Sequence, residues 1–434
     1  MSPGGESTRG LTTRACSSAR QLPNSLWGPR WPGPLSAIYG RAVDHVVVVG
    51  AGLAGVRSIE ALRFRGFTGR ITLIGEENHR PYDRPPLSKA VLLGETDSTV
   101  VDSDLDALDV RLCLGTAAKG LREGVLETTE GELEYDGLVI ATGAAPIRLR
   151  GEGRQHVLRT IEDALALRER LVPGARVAVV GAGWIGAEVA TAAARAGCAV
   201  TVVEAGESPL AVALGPEVGS HTTGWYARAG VELRLGALVG SVDPDGLTLM
   251  SGARVPADVV VTGVGVRPAV DWLKGSAVRV DDGVVVDEHL RTSLPNVVAV
   301  GDCASWWSRR FRTRLRVEHW DTALQAPDVA AATLLGEEAV YDPVPYFWSE
   351  QFGHMVQFAG HREAGDRMVL RGDPRRDPKW AVCWLKADDR LAAVLTVDRP
   401  RDVVQGRKII ESGRRLDPLR VGDSARPLRD CIMA

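Results

Sequence analysis

His45-Val46-Val47-Val48-Val49-Gly50-Ala51-Gly52-Leu53-Ala54-Gly55 is the stretch on which the reading of this chain turns. A β-branched run predicts a buried strand, and the glycines follow it at once. A helix is predicted through Ser58, Ala61 and Leu62 towards Gly66, and a second apolar run, Ile71 to Ile74, ends at Gly75-Glu76. Strand, helix and strand in that order make a βαβ unit. A pyrophosphate must come close to a helix N-terminus, where free N–H groups and the dipole stabilise its charge. Gly50 permits the tight turn, Gly52 lets the backbone reach the phosphates, and Gly55 lets the helix pack on the strand.

The pattern recurs 131 positions on: Val177 to Val180, then Gly181-Ala182-Gly183-Trp184-Ile185-Gly186, an Ala-rich helix to Gly197, and a strand from Ala199 to Val203 ending at Glu204. Glu76 and Glu204 stand 26 and 23 residues after their first glycines, the spacing at which an acid accepts hydrogen bonds from a ribose. A carboxylate at Glu204 repels the 2′-phosphate of NADP, and Ala205-Gly206 supplies no compensating arginine, so NADH is expected over NADPH. Two dinucleotide sites on one chain imply a bound flavin that takes hydride from a diffusible nicotinamide. The glycines alone do not say which site holds which.

Composition sets the bounds. At roughly 150 residues per domain, 434 residues leave room for about three domains. A net charge of -3 gives no global field for nucleic acid, and no run reaches the roughly 18 apolar residues of a membrane span, so a cytoplasmic protein is expected. The six cysteines are scattered, without a CxxC pair, which disfavours disulfide staples and a zinc site. None lies between Glu76 and Lys89. Cys303 reads as a buried structural thiol.

Residues 43 to 434 closely resemble the FAD-dependent, NADH-oxidising ferredoxin reductases of bacterial cytochrome P450 and ring-hydroxylating dioxygenase systems. The resemblance rests on the first glycine fingerprint, Arg80 to Lys89, Ile140-Ala141-Thr142-Gly143, Leu158 to Asp163, Gly181 to Glu188, Val300 to Ala304, Arg316 to Trp320 and Phe347 to Gln351. It implies an α/β fold with two Rossmann-like dinucleotide-binding domains, the FAD domain split by an inserted NADH domain, and a C-terminal α+β domain. The corresponding spans are 43–152 with 276–345 for FAD, 153–275 for NADH, and 346–434 for the C-terminal domain.

By the same resemblance Gly50, Gly52, Ala54, Gly55, Glu76, Arg84, Lys89, Ala118, Thr142, Gly143, Arg159, Asp302 and Trp320 hold FAD. Gly181, Gly183, Gly186 and Glu204 hold NADH. Pro85-Pro86 stiffens the mount of Lys89, whose cation near flavin N5 and O4 stabilises electron density arriving with hydride. Glu188, read as lying in the first turn of its helix, pairs with that lysine. Asp302 reaches a ribityl hydroxyl or caps a following helix. Trp320 covers the flavin.

The implied acceptor is an acidic iron–sulfur ferredoxin taking one electron at a time. Arg309, Arg310, Arg312, Arg314 and Arg316 form one basic element, with the last three on a single strand face, that steers it. Asp321-Thr322 departs from the family, where an uncharged residue and Asn are usual. Monodehydroascorbate reductases and apoptosis-inducing-factor-like proteins resemble the same architecture and are the rival readings. Beyond residue 345 the half-buried strands predict an antiparallel meander closed by a helix near Val403 to Ile410. Residues 1–42, rich in Ser, Gly, Pro and Arg, read as a disordered extension.

Overall fold

The run His45–Val49 becomes a strand buried at every position, at the centre of a five-stranded parallel sheet. Its order is Val297–Ala299, Gly137–Ile140, His45–Val49, Arg70–Gly75, Val110–Leu114. Strands buried on both faces need continuous apolar runs, which is what these segments supply. The first glycine turn leads into the helix Leu53–Phe64, which packs beside the helix Trp320–Leu334. The computed structural model describes residues 43–433, and the disorder read for residues 1–42 lies outside them.

A second parallel sheet repeats the plan, in the order Glu232–Arg234, Ala199–Val203, Arg176–Val180, Val259–Thr262, with the helix Trp184–Arg195 after its glycine turn. The two sheets are joined by an antiparallel pair, Ala144–Pro146 with Val266–Pro268. Backbone bonds tie Arg150 and Gly153 to Val242 of the second unit. On the return, Leu273 is already in the core of the first.

The C-terminal unit is one antiparallel sheet closed by the helix Pro400–Ser412. Its strand order corrects the expected meander. Tyr346–Gln351 pairs His354–Gly360, which pairs Leu391–Val397 rather than Arg367–Arg371. Leu391–Val397 is buried at all seven positions and takes the centre, while Arg367–Arg371 falls to the edge. Among the described residues, no helix is long and apolar enough to cross a membrane.

Candidate functional site

The two glycine turns show what each glycine is for. A Cβ on Gly50, whose φ is +119°, would stand 2.2 Å from the Ala141 carbonyl oxygen, and one on Gly55 would stand 2.0 Å from that of Gly50. Gly181 and Gly186 meet the same obstacles, at 2.4 Å from the Gly263 oxygen and 2.0 Å from the Gly181 oxygen. At Gly52 and Gly183, which begin their helices, a Cβ would meet nothing within 4 Å. The outer glycines are demanded by the chain itself. The middle one opens onto space that a phosphate at a helix N-terminus fits.

In front of the first turn lies a cavity of about 1090 Å³. Gly50, Gly52, Ala54, Glu76, Arg84, Lys89, Ala118, Thr142, Gly143, Arg159, Glu188, Asp302 and Trp320 all line it, though they come from segments more than 250 residues apart. Gly55 stands behind it, and Gly181, Gly183, Gly186 and Glu204 lie at the head of the second sheet. Trp184 and Ile185 carry the second helix onto the cavity wall.

Four ion pairs order that wall. Lys89 Nζ donates to Glu188 Oε2 at 2.8 Å. Glu188 is 4% exposed, and also accepts from the Ser88 hydroxyl, from the Ser349 hydroxyl at 2.6 Å, and from the Glu350 amide. A carboxylate this buried must be paired and hydrogen-bonded, and these partners do both. Lys89 follows the 3-10 turn Pro85–Ser88. Glu188 is the fifth residue of its helix, not part of the first turn, so the dipole at that end does not account for it. Arg159 Nη2 donates to Asp302 Oδ2 at 2.9 Å. A strand, Ala304–Ser308, follows Asp302, so its expected capping of a helix does not occur. Arg84 pairs with Glu77 at 2.7 Å and donates to the Arg159 carbonyl. Arg316 pairs with Glu318, whose carboxyl burial pushes above its ordinary range.

Sequence reasoning missed Ser88, Ser349, Glu77 and Glu318. Ser88, Glu318 and Ser349 lie inside stretches that carry the resemblance and Glu77 adjoins Glu76, but pairing that spans up to 161 residues gave none of them a role. Trp320 donates its indole N–H to Asp83 at 3.0 Å and meets Trp348 edge to face. His319 packs on Phe347, and burial pulls its pKa down to about 3. Cys303 is fully buried, with its thiol pushed up by that burial, away from redox use.

The arginine element is not the basic face read from its spacing. Arg309 pairs with Glu288, Arg310 donates to the Ile410 and Glu411 carbonyls, Arg314 donates to those of Val286 and Ser305, and Arg316 turns into the cavity. Arg312 sits in a left-handed turn at φ 53° before the three-residue strand Thr313–Leu315, so the shared face of Arg312, Arg314 and Arg316 does not form. Carbonyls and acids engage Arg310, Arg314 and Arg316, while Arg309 and Arg312 stay exposed.

Glu204 accepts from the amide of Ala182 at 2.6 Å, inside the second glycine turn, and from that of Gly206 at 2.7 Å. Its carboxylate thus lies across the mouth of that turn.

Two dinucleotide cradles that meet at a Lys–Glu pair define an oxidoreductase that uses a flavin and a pyridine nucleotide. The comparisons agree. Residues 44–326 match the pyridine nucleotide-disulphide oxidoreductase family and residues 346–432 the reductase C-terminal family. The ferredoxin–NAD(+) reductase component of the anthranilate 1,2-dioxygenase system of Burkholderia cepacia is 37% identical, over 88% of this chain and 98% of its own. The crystal structure of Fdr9 is 51% identical with a TM-score of 0.86, over 89% of this chain and 99% of that one. The covalent putidaredoxin reductase–putidaredoxin complex is 33% identical with a TM-score of 0.86, over 90% and 98%. The chain belongs to the pyridine nucleotide-disulphide oxidoreductase family and carries the reductase C-terminal domain of its ferredoxin reductases.

Proposed function

We propose that this protein is a cytoplasmic FAD-dependent ferredoxin reductase. It takes hydride from NADH and passes electrons singly to an iron–sulfur ferredoxin that serves a P450 or a ring-hydroxylating dioxygenase. The observation that carries this reading is the meeting of Lys89 from the first unit with Glu188 from the second, 2.8 Å apart on the wall between the two cradles. The relatives' names and the absence of cysteines from Glu76 to Lys89 support it over disulfide reduction.

Bound FAD supplies a centre that accepts a hydride and releases electrons one at a time. The first glycine turn, Glu76, Arg84, Arg159, Asp302 and Trp320 hold it, and Gly181, Gly183, Gly186 and Glu204 receive NADH. Glu188 holds the Lys89 ammonium in place on the cavity wall, where it stabilises incoming negative charge. The arginine pairs keep the wall rigid, so little reorganisation accompanies the charge change.

Purified protein should be yellow, bleach on anaerobic addition of NADH, and reoxidise fast in stopped flow with a two-iron ferredoxin. Fast discharge by ascorbyl radical but not by ferredoxin would replace this reading with the radical-reductase one. A reduced form indifferent to both would replace it with the signalling one.

A further inference from the structure

The helix Trp320–Leu334 begins on the cavity wall: His319, Trp320 and Ala323 line the cavity, and His319 gives no side-chain cap. An uncapped helix start carries partial positive charge and favours negative charge placed beside it. Asp321 sets a carboxylate in that same first turn, where it opposes the effect. The carboxylate is 12% exposed, too buried for water to screen it fully. It accepts from Arg407 Nη2 at 3.0 Å and from Gln325 Nε2 at 2.6 Å. Arg407 belongs to the helix Pro400–Ser412 of the C-terminal unit. It also lies 5.5 Å over the Tyr346 ring, which stacks on Trp348, which in turn meets Trp320. Arg407 is thereby held in place by partners other than Asp321.

Resting on the function proposed above, we infer that Asp321 and Arg407 together set the electron affinity of the flavin. Asp321 lowers it by cancelling the helix start, and Arg407, supplied by the C-terminal unit, restores part of it. Both are positioning residues that act through the first turn of the helix.

The test is the midpoint potential of the bound flavin, followed by its absorbance in an anaerobic redox titration. Asp321→Asn keeps the shape and removes the charge, and should raise the potential. Arg407→Gln leaves Asp321 uncompensated and should lower it. Each change should shift the reduced-to-oxidised ratio at fixed potential by about three- to tenfold, roughly 15 to 30 mV for a two-electron couple. The double variant should return close to the parent, and Arg407→Lys should stay near it. Equal potentials across the set, or shifts of the same sign in the two single variants, overturn the inference. Should Arg407→Gln fail to fold, an unmoved potential in Asp321→Asn overturns it alone. A parent protein without flavin absorbance fails the functional reading first, and this one with it.

Discussion

The middle glycines and the outer ones have separable roles. Gly52→Ala should leave the fold intact, since its Cβ meets open space, yet the purified protein should lose flavin absorbance. Gly55→Ala drives a methyl against the Gly50 carbonyl, and chemical denaturation should register a loss of about 3 kcal/mol. In the second unit, Gly183→Ala should raise KM for NADH with flavin content unchanged. If Gly52→Ala retains full flavin, the open space before that residue is not the cofactor's. Glu188→Gln keeps most of the hydrogen bonds but removes the counter-charge of Lys89. Reduction by NADH in stopped flow should slow by at least about tenfold. Glu188 was legible only through resemblance, because nothing in its local pattern announces a partner 99 residues away.

At the level of elements, the second glycine turn and the strand end beside it form one recognition unit. Glu204 reaches back to the amide of Ala182, so its charge stands at the second glycine turn, where the proposed function puts the ribose of NADH. Glu204→Ala combined with Ala205→Arg should move steady-state preference towards NADPH, and unchanged selectivity would refute that role for the acid. The start of the Trp320–Leu334 helix makes a pH prediction. Burial keeps His319 neutral, with a folded pKa of about 3 against an unfolded value of roughly 6.5. Its contribution to stability is therefore present above pH 6.5 and declines as pH falls towards 3, because the unfolded chain binds the extra proton. His319→Gln should flatten the fall in melting temperature between about pH 6.5 and 4 relative to the parent. An identical slope would show that the ring does not titrate in this way.

Across the whole molecule, side chains bridge the three units alongside the backbone pairing that joins the first two. Glu188 is held by serines from the first and third, and Arg407 of the third reaches Asp321 of the first. Within the third, Arg371 is fully buried and donates to the carbonyls of Val421, Asp423 and Arg426 while pairing with Asp402. It clamps the end of the chain to its sheet. Arg371→Met should cost about 3 kcal/mol, because the buried acceptors lose their donor. An unchanged melting temperature would mean that Arg399, which also reaches Asp402 and the Ser424 carbonyl, suffices.

Periodicity and glycine spacing alone established two βαβ units and an acid at the end of each, because turn geometry and strand burial are local requirements written in neighbouring residues. Resemblance added Lys89, Glu188 and Asp302. What only the tertiary structure decided was pairing: Ser349 on Glu188, Glu77 on Arg84, and Arg310, Arg314 and Arg316 on carbonyls and acids of other segments. Spacing along the chain says which face a side chain takes on its own element. It does not say which distant carbonyl or carboxylate comes to meet that side chain, because that partner is fixed only when the units pack.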